Sequence, residues 1–147
     1  MTILDEIKKN EATHVKVAVT DIDGILRGKY ILKEKFLSAI ESSFGFCNVI
    51  FGWDSSDVCY DNSNYTGWHS GYPDAEAKLD LSTYRTIPWD KGIPFFLGDF
   101  QDGKGNPLPI CPRQLLKTII GKLKNSGYSA KMGVEYEWFN FKETPQT

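Results

Sequence analysis

The sequence predicts an α+β fold, and three observations carry that prediction. Two stretches of strand-like alternation, His14–Thr20 and Ile25–Leu32, flank the turn-forming Asp21-Ile22-Asp23-Gly24, which is a hairpin pattern. Apolar residues then recur at helical spacing (Phe36, Leu37, Ile40, Phe44) before further short strand-like runs appear. Strand, strand, helix and more strands describe a mixed sheet crossed by a helix.

Taken in order, Thr2 is placed to cap a short helix over Ile3 to Asn10, with Ile3, Leu4 and Ile7 on one side. Val15, Val17 and Val19 make the first strand half-buried, and Ile25 to Leu32 pairs with it. The next helix runs from Lys33 to Phe44, with Gly45 placed to end it, and Phe46 to Phe51 reads as a third strand. From Gly52 to Asp80 the pattern dissolves into Gly, Ser, Asn, Asp and aromatic residues, a loop long enough to need a job. Thr83–Pro88 and Phe95–Phe100 are two later strands. Asp102 to Pro107 is dense in turn residues and marks a boundary. Beyond it, Pro112 suits the first turn of a helix that carries Leu115, Leu116, Ile119, Ile120 and Leu123 and stops at Gly127. Ser129–Phe141 reads as a strand in two parts. The predicted units are an N-terminal helix (1–12), a domain over 13–106, and the opening helix and strand of a second domain over 107–147. Two elements cannot bury both their faces alone, so the sequence is expected to be a truncated chain.

The 147 residues are 41% hydrophobic and 24% charged with a net charge of −2, which allows a core and leaves no basic footprint for nucleic acid. No apolar run reaches the roughly 18–20 residues of a membrane span, and the N-terminus lacks the pattern of a signal peptide. Cys47, Cys59 and Cys111 are odd in number and widely spaced, as expected of reduced thiols in a cytoplasmic protein. His14 and His69 have no ligand partners at metal-binding spacing, and Gly103-Lys104-Gly105 lacks the span of a phosphate loop.

Three places could carry chemistry. In Gly133-Val134-Glu135-Tyr136-Glu137-Trp138 an extended backbone puts Glu135 and Glu137 on one face, about 7 Å apart. Side-by-side carboxylates suit a hard divalent cation that also holds phosphate oxygens; the alternative is an ordinary half-exposed strand. Asp21-Ile22-Asp23-Gly24 follows a hydrophobic strand and resembles the nucleophile motif of haloacid-dehalogenase-type phosphatases, with Gly98-Asp99 loosely matching a later acidic motif. Against this, a strand follows where that family has a loop and helix, and a plain Asp- and Gly-rich hairpin turn accounts for the same residues. The acids and aromatics of Gly52–Tyr72 could form a cation-binding rim, or a solvated loop pinned by its rings.

Five blocks in order resemble one family. Asp21-x-x-Gly24-x-x-Arg27-Gly28-Lys29 is similar to the first hairpin of glutamine-synthetase-like ligases. Ser82-Thr83-Tyr84-Arg85-Thr86-Ile87-Pro88-Trp89 resembles their Ser-Thr-x-Arg-x-x-Pro-Trp segment. Gly98-Asp99 with Asp102 to Gly105, Pro112-Arg113-x-x-Leu116-Lys117, and Gly133-x-Glu135-x-Glu137-Trp138 resemble the end of the N-terminal domain and the first helix and strand of the catalytic domain. The resemblance implies a β-grasp N-terminal domain followed by the start of an α/β catalytic domain. It implies ATP-dependent ligation of ammonia or an amine to the glutamate side chain through γ-glutamyl phosphate, with Glu135 and Glu137 each helping to bind Mg²⁺ or Mn²⁺. It also implies a ring-shaped homo-oligomer in which the loop of one subunit completes its neighbour's active site. Trp53-Asp54-Ser55-Ser56 resembles the family's Phe-Asp-Gly-Ser-Ser segment, whose Asp binds ammonium; that role passes to Asp54, with Asp57 as the alternative because the Gly is missing. The Arg27-Gly28-Lys29 wording leans toward ligases for larger amines. The competing expectations are a phosphatase using Asp21 and Asp23, and a β-grasp module without catalysis. The 147-residue chain alone is expected to be inactive.

Overall fold

The computed structural model of the chain describes residues 2–144, so Met1 and residues 145–147, at the ends of the first and third predicted units, lie outside the described residues. Helix α1 (Ile3–Lys9) starts at a capping box. The Thr2 hydroxyl accepts from the Asp5 amide at 3.2 Å, and the Asp5 carboxylate accepts from the Thr2 amide at 2.9 Å. Strands β1 (His14–Thr20) and β2 (Leu26–Leu32) form the expected antiparallel hairpin. Helix α2 (Lys33–Glu41), β3 (Phe44–Cys47), a 3-10 turn over Asn48–Phe51, β4 (Asp74–Ile87), β5 (Ile93–Gln101) and α3 (Pro112–Asn125) follow.

The five strands make one sheet in the order β2-β1-β5-β4-β3, antiparallel except where β1 meets β5. Val15, Val17 and Val19 of β1 are fully buried, and Phe36 of α2 packs on Phe96 of β5 with ring centroids 4.7 Å apart. Tyr84 stacks on the same Phe96 ring at 5.3 Å, and Phe100 closes the core against Phe51. The sheet curls until its two edges meet. Lys29 Nζ of β2 donates to the Gly45 carbonyl of β3 at 2.9 Å and lies over the Phe44 and Phe46 rings. This α+β architecture with a mixed sheet is the fold class expected.

Four local expectations are corrected. Helix α2 stops at Glu41, where Ser42 leaves helical geometry, and Phe44 joins β3 opposite Ala77. Gly45 is therefore a strand residue, not a helix end. A Cβ there would lie 2.5 Å from the Asp74 carboxylate, so a larger residue would displace that exposed side chain. The third strand ends at Cys47 because Asn48, Ile50 and Phe51 turn inward as a 3-10 turn. The long loop ends at Pro73, not Asp80, since β4 begins at Asp74; its alternating Ala75, Ala77 and Leu79 carry a weak strand signal because alanine is a poor strand former.

The fourth correction concerns Ser129–Phe141, which forms no strand. A strand needs a neighbour for its amides and carbonyls, and no described strand lies beside this segment. Val134, Tyr136 and Trp138 are 73–79% exposed. The apolar stripe of α3 is also open, with Leu115 58% exposed.

Replacing Phe96 with alanine is expected to cost about 3–5 kcal/mol, because the ring is fully buried between two aromatic partners. Urea denaturation measures this, and a loss below about 1 kcal/mol would show that the core lies elsewhere.

Candidate functional site

The hairpin turn is built around one buried charge. Asp21 is fully buried, and its Oδ1 accepts from the amides of Asp23 at 3.0 Å and Ile25 at 2.8 Å. Its Oδ2 accepts from Arg27 Nε at 2.8 Å, and Gly24 supplies the left-handed step at φ +82°. An aspartate closing its own turn in this way is ordinary turn chemistry. The phosphatase expectation for Asp21 and Asp23 is therefore corrected: both Asp21 oxygens are committed to structural donors, and the carboxylate has no open path to a phosphorus atom.

Arg27 carries the contact on to the long loop. Its Nη1 meets Asp57 Oδ1 at 2.5 Å, its Nη2 donates to the Asp54 carbonyl at 3.3 Å, and its guanidinium sits 5.0 Å from the Trp53 ring centroid. The hydrogen bond to Asp21, only partly offset by burial and then reinforced by Asp57, raises the Arg27 pKa above its ordinary value. The loop segment it holds is compact. The Tyr60 amide donates to the Gly52 carbonyl at 2.8 Å, and the Asp54 amide donates to the Val58 carbonyl at 3.0 Å. Asp54 Oδ1 accepts from the amides of Ser56 at 2.8 Å and Val58 at 3.0 Å. Asp57 takes a left-handed backbone at φ +65°. Asp54 Oδ2 has no hydrogen-bond partner among the described residues. Burial and then the nearby Asp23, Asp54 and Asp21 carboxylates push the Tyr60 phenol up.

The aromatic residues mainly pin the loop. The cation on Trp53 is the chain's own Arg27, and Tyr65 packs edge-on against Phe51 at 5.8 Å. Thr66 is buried and donates to Asn48 Oδ1 at 2.5 Å. Trp68 stands open at 90% exposure, beside Tyr72, while Tyr60 and Tyr65 are each about two-fifths exposed. An open hollow of about 430 Å³ adjoins Arg27 and Trp53, lined also by Leu26, Phe46 and Val49.

Glu135 and Glu137 lie exposed in the segment without regular structure, so the extended pairing that would set them on one face is not formed among the described residues. No group of three or more His, Cys, Asp or Glu side chains able to hold a metal occurs among the described residues. The two glutamates fit a divalent cation in kind, as hard oxygen donors, and fall short of a site in number.

A second cluster docks α3, and it joins residues of two separate sequence blocks, Gly98-Asp99 and Pro112 to Lys117, to Asp80. Arg113 bridges Asp80 at 2.9 Å and Asp99 at 2.5 Å, and Lys117 bridges Asp80 at 2.7 Å and also pairs with Asp99. Asp80 sits where β4 bulges away from β5, and it accepts from the Ser82 hydroxyl at 2.5 Å while Thr83 Oγ1 accepts from the Leu97 amide at 2.9 Å. Burial pushes the Asp80 carboxyl up, but Lys117, Ser82 and Arg113 outweigh it and hold it far below the usual carboxylate range. For Lys117, burial pulls its pKa down, and the bonds to Asp80 and Asp99 more than reverse that. No helix among the described residues is long and apolar enough to cross a membrane, and all three cysteines are free.

Known proteins place this geometry. The chain is 55% identical over 141 residues to the type-1 glutamine synthetase 2 of Dictyostelium discoideum, covering 96% of this chain and 27% of that protein. It is 36% identical over 140 residues to a glutamate–isopropylamine ligase of a Pseudomonas species, covering 95% of this chain and 30% of that protein. A solved GmaS/ADP complex superposes with a TM-score of 0.63 at 17% identity, over 85% of this chain and 26% of that one, a likeness of fold. No family model matches the chain. The chain thus spans less than a third of the length of these relatives, and over that span it is homologous to glutamine synthetases and related glutamate–amine ligases.

The docking cluster sets a pH dependence. Asp80 has a lowered folded pKa, so its contribution is fully present above the unfolded value of about 4 and is lost as pH falls below it. Lys117 has a raised folded pKa, so its contribution is complete below about 10.4 and is lost as pH rises beyond that. The Tm difference between the native chain and Asp80→Asn is expected to stay level from about pH 5 to 8 and to shrink below about pH 4. A difference that drifts across the neutral range would show that the cluster does not carry the stability.

Proposed function

We propose that this chain, whose relatives are glutamine synthetases and glutamate–amine ligases, supplies the amine-binding loop and two metal carboxylates of an ATP-dependent ligase that joins ammonia or a small amine to the side chain of glutamate. The observation that carries the reading is the half-satisfied carboxylate of Asp54. One oxygen is locked by two backbone amides while the other has no partner, as suits an acceptor for an ammonium ion and its proton. Asp57, the alternative, is already paired with Arg27.

Around this, the finer reading follows the family resemblance. The unit over 13–106 is a β-grasp-type domain, and α3 opens the catalytic domain. Glu135 and Glu137 would help hold Mg²⁺ or Mn²⁺, which supplies neutralisation of phosphate charge when bound. ATP passes its γ-phosphoryl group to the glutamate side-chain carboxylate, giving γ-glutamyl phosphate and ADP, and the amine, relieved of its proton at Asp54, attacks the acyl carbon and displaces phosphate. The loop of one subunit serves its neighbour in a ring of identical subunits in the cytoplasm. The glutamate–isopropylamine ligase among the relatives supports an amine larger than ammonia as one option.

In the complete ligase polypeptide carrying this segment, Asp54→Asn is expected to lower kcat/KM for the amine by about 10²-fold or more, the scale of a lost proton acceptor, while Mn²⁺ binding is retained. Glu135→Gln with Glu137→Gln is expected to abolish Mn²⁺ binding by calorimetry. The 147-residue chain alone should release no ADP from ATP, glutamate and amine. Full amine turnover by Asp54→Asn, or ADP release by the isolated chain, would overturn the assignment.

A further inference from the structure

We infer that Arg27 is a positioning residue that holds the Asp54 carboxylate in its working place, acting as a latch between the hairpin turn and the loop. The inference rests on the amine-ligase reading and concerns a residue that takes no part in the chemistry itself. Arg27 meets three groups with one planar fork: Asp21 through Nε, Asp57 through Nη1 and the Asp54 carbonyl through Nη2. Its side chain is 18% exposed and its face is covered by Trp53, the residue directly before Asp54. The anchor cannot shift, because Asp21 is fully buried and also bound by two backbone amides of its own turn. The far end is a loop tip whose backbone bonds, from Asp54 to Val58 and from Gly52 to Tyr60, lie within the loop, while Trp53 at its base packs on the core. Arg27 adds the ionic link from that tip to β2.

The latch has two consequences for an incoming amine. It keeps Asp57 engaged, so that Asp54 presents the free oxygen. It also leaves the group of Asp21, Arg27 and Asp57 with a net single negative charge beside Asp54, a field that favours a cationic substrate. Lysine cannot substitute, since a point ammonium replaces a rigid fork with one mobile donor group.

The test uses the complete ligase polypeptide and its Arg27→Lys, Arg27→Met and Asp57→Asn variants. Hydrogen exchange of the peptide spanning residues 52–60 is followed beside that of β5, together with steady-state kinetics. In Arg27→Lys, exchange over 52–60 is expected to quicken at least about 10-fold with β5 unchanged. The KM for the amine should rise at least about 10-fold while the KM for glutamate stays within about twofold, a loss of ground-state binding. Arg27→Met should go further, and Asp57→Asn should move both readouts in the same direction by about threefold, the smaller loss expected when one neutral acceptor remains. If the arginine variants also unfold β5, Asp57→Asn decides. Unchanged exchange over 52–60, or faster exchange with an unmoved amine KM, would remove the latch. A parent protein with no amine-dependent turnover would instead sink the ligase reading, and exchange alone would then decide whether the latch exists.

Discussion

A single buried carboxylate organises the hairpin turn and the loop beside it. Placing the Asp21 charge where no water reaches it is costly unless every oxygen lone pair finds a donor. The chain meets that demand locally with the amides of Asp23 and Ile25, and at a distance with Arg27. The local bonds close the turn between β1 and β2. The distant one fixes the direction of an arginine on β2, and that arginine in turn reaches the loop that carries Asp54 and Asp57. Hairpin register, arginine direction and loop position are therefore one linked arrangement, and a change at Asp21 should propagate to a carboxylate more than thirty residues away in sequence.

The same device, carboxylates on the sheet answered by cations from elsewhere, is used again where α3 meets β4 and β5. There the helix leaves its apolar stripe open and touches the sheet through Arg113 and Lys117. Apolar packing tolerates sliding, whereas a two-by-two set of short ion pairs specifies one position, because a one-turn shift of α3 would strand all four charges. The bulge in β4 is part of that specification. Ser82 and Thr83 hold it open, so that Asp80 turns toward the helix. The Ser-Thr-x-Arg wording thus has a structural reason in its first two residues.

Much of this was legible in the sequence wherever the signal is local. Thr2 as a helix cap, the alternating valines of β1, the Asp-Gly turn, Pro112 at the start of α3 and Gly127 beyond its end each act within a few residues. Each is found where the pattern put it. What failed was decided by contacts far along the chain. Phe44 fits a helix by spacing and is claimed by a strand because Ala77 lies opposite. Asp74 to Asp80 looks like loop by composition and is strand because β3 pairs with its first half and β5 with Glu76 to Asp80. The Arg27–Asp57 and Asp80–Lys117 pairs span 30 and 37 residues, with no spacing rule to announce them. Asp54 could be proposed only through the family resemblance. The pairing of its neighbour Asp57 with Arg27 is a tertiary contact that the sequence does not reveal.

In the segment with Glu135 and Glu137, backbone pairing and carboxylate placement depend on one another. An extended strand sets alternate side chains on one face, and it persists only when a second strand takes up its amides and carbonyls. Without that partner the backbone has no reason to hold two carboxylates side by side, and their mutual repulsion disfavours it further. A divalent cation would reverse that sign, and the partner strand would remove the backbone penalty. In the proposed ligase, pairing of residues 133–138 and metal binding are therefore coupled: each lowers the cost of the other, as is general where a metal site is assembled by folding. In that ligase the exposed Val134, Tyr136 and Trp138 would gain burial from the same pairing, since β-favouring bulk suits a strand with a packed face.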